Sequence, residues 1–72
     1  MTVKMRMWLR DRGLTAIQIA RRMNFINPQH IWYVLDGTMK LDADETQKLK
    51  TTLCDVYGMT EAEWKEALPW TA

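Results

Sequence analysis

Residues 14–37 read LTAIQIARRMNFINPQHIWYVLDG, and this stretch holds the signals for two short helices that meet at a tight break. Thr15-Ala16-Ile17-Gln18 is a capping box: the threonine hydroxyl and the glutamine side chain each satisfy a backbone N–H that the first turn of a helix leaves without a partner. Ile19, Ala20 and Met23 supply an inner face at helical spacing. Asn24 ends the helix, because Asn adopts the left-handed conformation more readily than most residues other than Gly. A short turn from Asn24 to Asn27 follows. Asn27 then caps the next helix and Pro28 fills its first position, where the missing N–H is not needed and φ is already set. Ile31, Val34 and Leu35 form the buried stripe, and Gly37 stops the helix. Ala20 is small where the two helices must approach closely. The predicted unit is a helix-turn-helix, from about Leu14 to Gly37.

Outward from this unit the same signals recur. On the N-terminal side, Thr2 caps a first helix that carries Met5, Trp8 and Leu9 at helical spacing and ends at Gly13. On the C-terminal side, after a loop from Thr38 to Leu41, Asp42-Ala43-Asp44-Glu45 opens a fourth helix with acids at its positive end. Its predicted inner face is Leu49, Leu53, Val56 and Tyr57, and Gly58 closes it. Thr60-Glu61-Ala62-Glu63 is a second capping box. It starts a short fifth helix with Trp64, Ala67 and Leu68, which Pro69 terminates, leaving Trp70 on a short tail. No strand-like alternation, repeat or low-complexity linker interrupts the pattern. The expected fold class is all-α, a compact bundle of about five short helices containing the helix-turn-helix, in a single domain over residues 1–72.

Apolar residues make up 47% of the chain, enough material for a core, although so short a chain lies near the lower limit for unaided folding. Four Trp, two Tyr and six Met raise the expectation that some are covered by a second subunit. His30 and Cys54 are the single residues of their types, which excludes an internal disulfide and leaves no evident metal site, nucleophile or catalytic constellation. Neither a cofactor nor enzymatic activity is expected. Cys54 reads as a small packed residue beside Leu53. No apolar run approaches the roughly 20 residues of a membrane span and no signal-peptide segment is visible, so no membrane association and a cytoplasmic location are expected.

The formal charge of +1 conceals a division along the chain. Met1 to Lys40 carries seven basic residues against two acidic ones, whereas Leu41 to Ala72 carries three against seven. A basic half can neutralise phosphates while an acidic half faces away from nucleic acid or toward a protein. On the third helix, Asn27, Gln29, His30, Trp32 and Tyr33 occupy the side opposite Ile31 and Val34. Gln29 and Asn27 carry the paired donor and acceptor that reads an adenine edge, and His30 can donate to a guanine acceptor. Tyr33 can bond to a phosphate or a base edge, and an aromatic ring can pack on a thymine methyl. Trp32 either joins that face or packs against a partner. Arg21 and Arg22 lie on the second helix away from Ala20, as phosphate contacts or as a solvated surface.

This pattern resembles the Cro and lambda-repressor-like helix-turn-helix family over about Met5 to Trp64. The resemblance is carried by Gly13-Leu14-Thr15, Ile19-Ala20, the Ile31-x-x-Val34-x-x-Gly37 spacing and Gly58-x-Thr60-x-x-Glu63-Trp64. It implies that the start and outer face of the third helix read bases, here Asn27, Pro28, Gln29, His30, Trp32 and Tyr33. Gln29 is foremost, since Pro28 offers no polar group. It also implies backbone contacts from Thr38 and Lys40 in the following loop, and a phosphate at the N-terminus of the second helix, Thr15 to Ile17. Three positions depart from the family pattern. Ala16 stands where a phosphate-binding glutamine is common, and the turn is one residue longer, counting Ala20 to Ile31. Leu9 and Leu35 replace a frequent arginine–glutamate pair, an apolar exchange that can be neutral or stabilising.

The expected function is a sequence-specific DNA-binding transcriptional regulator, a Cro-like phage or prophage repressor that binds an operator as a homodimer through its third helix in the major groove. Asn27, Gln29, His30, Trp32 and Tyr33 are its expected base-reading residues. Thr15, Arg21, Arg22, Thr38 and Lys40 are its phosphate contacts, and Trp64 and Trp70 its dimer interface. The alternative is a protein-binding module on the same scaffold, antirepressor or antitoxin-like, whose partner is another regulatory protein. The low net charge, Ala16, Pro28 and the Trp32-Tyr33 pair point that way.

Overall fold

The computed structural model describes residues 1–24 and 27–71, which form helices and turns with no strand among them. Five α-helices follow in order: α1 Val3–Asp11, α2 Ala16–Arg22, α3 Ile31–Asp36, α4 Ala43–Thr51 and α5 Glu61–Ala67. A 3₁₀ turn, Pro28–His30, leads into α3, a π turn, Thr52–Val56, continues α4, and a second 3₁₀ turn, Pro69–Thr71, follows α5. The radius of gyration, 10.8 Å, matches the roughly 11 Å of one folded domain of this length. No helix among the described residues is long and apolar enough to cross a membrane.

Four of the five helices start on the cap that their sequence announces. Thr2 Oγ1 accepts from the Met5 N–H at 3.1 Å, and Asp42 Oδ1 from the Glu45 N–H at 2.7 Å. At α2 the box is reciprocal: the Gln18 N–H donates to Thr15 Oγ1 at 3.2 Å and the Thr15 N–H to Gln18 Oε1 at 2.8 Å. Thr60 and Glu63 repeat the arrangement at α5, at 3.1 and 3.0 Å. The Thr60 N–H bonded to its carboxylate holds Glu63 below the usual glutamate range, with the Arg12 and Lys4 charges adding to the effect. A carboxyl whose folded pKa is depressed stabilises the fold above its unfolded pKa, and that contribution fades as pH falls through the folded value. Acid titration of Glu63→Gln, whose amide oxygen keeps the cap, should therefore lack this part of the stability loss seen in the unsubstituted chain.

The start of α3 departs from expectation. Asn27 is extended ahead of Pro28, but its side chain makes no capping hydrogen bond. The chain instead tightens into the 3₁₀ turn, where the His30 N–H donates to the Asn27 carbonyl at 3.0 Å. That backbone bond satisfies a donor the side chain was expected to serve, and α geometry begins only at Ile31. Asn24 has φ +60° and is the one non-glycine residue in the left-handed region among those described, as expected of the stop to α2. Phe25 and Ile26, the interior of the expected longer turn, lie outside the described residues.

The core draws Met5, Trp8 and Leu9 from α1, Ile19 and Ala20 from α2, Ile31, Val34 and Leu35 from α3, and Leu49 and Leu53 beyond them. Leu9 and Leu35 thus share one apolar core, where the family pattern has an ion pair. Val56 does not join it, contrary to the predicted inner face of the fourth helix. In the π turn the Tyr57 N–H donates to the Thr52 carbonyl at 3.2 Å, five residues back. The wider turn takes up an extra residue and shifts the helical phase, leaving Val56 45% exposed while Met59 is buried in the core. α1 packs on α5, and Thr2 Oγ1 donates to the Ala67 carbonyl at 2.7 Å across that junction.

Trp64 is only 5% exposed, buried within its own chain. This corrects its assignment to a dimer interface, since almost none of its surface remains to be covered. Trp70 is half-buried and lies across the end of α3: a Cβ on Gly37 would sit 3.0 Å from its Cδ2. Gly37 also has φ +79°. Gly37→Ala should cost about 1–2 kcal/mol through the backbone alone, plus the displacement of the indole. In a Trp70→Ala background only the backbone part should remain, which urea unfolding of the four variants resolves as a double-mutant cycle.

Candidate nucleic-acid interface

The 3₁₀ turn and α3 act as one rod with two faces. Ile31, Val34 and Leu35 are buried against the bundle, and α2 packs on both the 3₁₀ turn and α3. The opposite side carries Asn27, Gln29, His30, Trp32 and Tyr33, all exposed. Trp32 is 44% and Tyr33 56% exposed, large apolar surface for residues on a helix so firmly anchored below. The His30 and Tyr33 rings meet edge to face with centroids 6.4 Å apart, a spacing at which aromatic rings attract. The five residues expected to read bases therefore share one accessible surface. Their donors are Gln29, Asn27, His30, Tyr33 and the Trp32 indole, and their acceptors lie on the amides, the imidazole and the phenol.

Among the expected phosphate contacts, Arg21, Arg22 and Lys40 are exposed and have no acidic partner within 4.0 Å among the described residues. Thr15 is exposed, its hydroxyl oxygen accepting from Gln18 while its O–H remains available to donate. Thr38 is different. Its O–H donates to the Tyr33 carbonyl at 3.1 Å and its backbone N–H to the same oxygen at 3.0 Å, closing the C-terminus of α3. Phosphate oxygens only accept, so Thr38 serves here as a helix stop, and a phosphate would have to draw its exposed hydroxyl away from the Tyr33 carbonyl.

Three other basic side chains make contacts within the chain. The Arg12 guanidinium lies 4.3 Å from the centre of the Trp8 ring and its Nε donates to the Tyr57 carbonyl at 3.4 Å, joining α1 to the end of the π turn. Lys4 pairs with Glu66 at 3.7 Å and Lys50 with Glu61 at 2.9 Å, exposed contacts worth about 0–1 kcal/mol each. Cys54 is half-buried; burial, then the charge of Glu61, pushes its thiol up and keeps it protonated. No three His, Cys, Asp or Glu side chains among the described residues gather as a metal site would require.

Beside the exposed face of α3 lies an open cleft of about 310 Å³, which Asn27, His30 and Lys40 share with Asn24, Glu45 and Lys48. Lys48 belongs to the acid-rich half of the chain, and no motif in the sequence marks it as a neighbour of the third helix. Only the folding back of α4 does. Comparison with protein families, with characterised proteins and with solved structures gives no match for this chain.

Proposed function

We propose that the chain is a sequence-specific DNA-binding transcriptional regulator, a small Cro-like repressor whose α2, connecting segment and α3 form a helix-turn-helix. The observation that carries this reading is the exposed surface of Asn27, Gln29, His30, Trp32 and Tyr33 on a helix locked from beneath by Ile31, Val34 and Leu35. Seated in a major groove, such a helix brings amide pairs and an imidazole to base edges. Arg21, Arg22 and Lys40 are exposed and without acidic partners among the described residues, which supports their role as phosphate contacts. Binding as a homodimer would match a two-fold operator. With Trp64 inside the chain, half-buried Trp70 and exposed Val56 are among the apolar groups of the Leu41–Ala72 half that remain open to such a contact.

A mobility-shift assay with the DNA flanking its own gene, at two salt concentrations, tests this. The expected result is a shifted complex that weakens steeply with salt through release of counterions. A complex insensitive to salt, or none, counts against the reading. Gln29→Ala should then lower discrimination at one base pair by about 1–3 kcal/mol while leaving affinity for other sequences unchanged. If operator discrimination is unaffected, α3 does not read bases through Gln29.

A second reading is favoured by one specific observation. Trp32 and Tyr33 expose adjacent large rings, of the kind that anchor protein contacts. A protein-binding module would lose its partner on Trp32→Ala, and its binding would respond weakly to salt.

A further inference from the structure

We infer that the cleft between α4 and the segment leading into α3 seats a phosphate of the DNA backbone, held by Lys40 and Lys48 and restrained by Glu45. This rests on the DNA-binding reading, and adds to it a contact from the half of the chain whose net charge is negative. The cleft, about 310 Å³, has room for a phosphate group with its water. Asn24, Asn27 and His30 reach it from the segment before α3, Lys40 from the loop after α3, and Glu45 and Lys48 from α4. Asn27 and His30 also belong to the exposed base-reading surface, so an anion bound here lies next to a duplex seated on α3. Lys48 also lines an adjoining cleft, together with Arg22 and Asp44. Basic groups from α2, the loop and α4 therefore border one continuous edge.

Lys48 is exposed and has no acidic partner within 4.0 Å among the described residues, although Asp44 and Glu45 stand one helical turn before it. Pairs at that spacing usually attract. Its ammonium is thus available to a ligand. The cleft is cationic in balance, with two lysines against one glutamate, and the Asn24 and Asn27 amides add neutral donors. Glu45 is the one lining group that repels a phosphate, so the seat carries two opposite signatures.

The test uses the DNA fragment shifted by the full chain, titrated over several salt concentrations with Lys48→Ala, Glu45→Gln and Lys65→Ala. Lys65 is an exposed lysine on α5 and serves as the control. Losing one phosphate contact should make the salt slope shallower by about 0.9 and lower affinity about 5–10-fold near 0.1 M salt. Lys48→Ala should do both without changing base preference. Glu45→Gln should bind several-fold more tightly, and Lys65→Ala should match the unsubstituted chain. Lys48→Ala indistinguishable from Lys65→Ala, or Glu45→Gln binding more weakly, overturns the seat while leaving the DNA reading intact. An unsubstituted chain that binds no duplex overturns both.

Discussion

Trp8→Ala is expected to remove about 3–5 kcal/mol, a large part of the stability of so short a domain. Trp8 is 2% exposed at the centre of α1's inner face, and replacing so large a buried ring by a methyl group costs about 3–5 kcal/mol in transfer and cavity terms. A domain of this length has a total stability of only about 4–11 kcal/mol. The loss of Arg12's place over the ring adds to the damage, since that contact also ties α1 to Tyr57. Trp8→Phe separates size from polarity. The indole Nε1 is buried and has no acceptor among the described residues, and an unsatisfied buried donor costs about 1–3 kcal/mol. Phenylalanine removes that cost while giving up part of the volume. Urea unfolding should therefore place Trp8→Phe within about 1.5 kcal/mol of the unsubstituted chain. A phenylalanine variant as unstable as the alanine one would mean that Nε1 has a partner after all.

On the proposed DNA-binding reading, Arg21→Ala, Arg22→Ala and Lys40→Ala combined should reduce DNA affinity by about 10²–10³-fold near 0.1 M salt and make the salt slope shallower by about 2.7, three phosphate contacts at 0.9 each. The effect on folding should be small. All three side chains are exposed and lack an acidic partner among the described residues, and surface changes of that kind usually stay within about 0.5 kcal/mol each. Thermal unfolding beside the binding titration checks this. Loss of binding with an unchanged melting curve and a shallower slope is the expected combination. An unchanged slope would place the DNA contact elsewhere on the chain, whatever happened to affinity.

Helix boundaries were legible where the determinant lies within four residues. Thr15 with Gln18 and Thr60 with Glu63 are pairs whose geometry follows from their spacing, and Asn24, Gly37 and Gly58 stop helices by backbone preference alone. Features set by packing were not legible. The shift at Thr52–Val56 has no signature in composition, so Val56 falls on the predicted inner face of the fourth helix although it is exposed. Asn27-Pro28 carries a strong cap signal, yet a backbone bond from His30 did the work of the side chain. The same division holds at the interface. The exposed side of α3 and of the turn leading into it follows from the spacing of Ile31 and Val34, and Asn27, Gln29, His30, Trp32 and Tyr33 are all exposed there. Thr38 bonds back to the Tyr33 carbonyl in a local closure of α3 that no cap motif announces, whereas Lys48 shares a cleft with Lys40 only because α4 folds back.

The π turn also makes the chain tolerant of a change in length at one joint. A residue added to or removed from an α-helix rotates everything beyond it by about 100° and carries each core side chain off its face. Between Thr52 and Tyr57 the chain already holds one residue more than α geometry needs. Deleting exposed Asp55 would convert the wide turn into an ordinary one, leaving Leu53 and Met59 in their places and the second capping box in phase. The same deletion within α1 or α3 would dismantle the core. Natural variants of this chain that differ by a single residue in length should therefore differ at this joint.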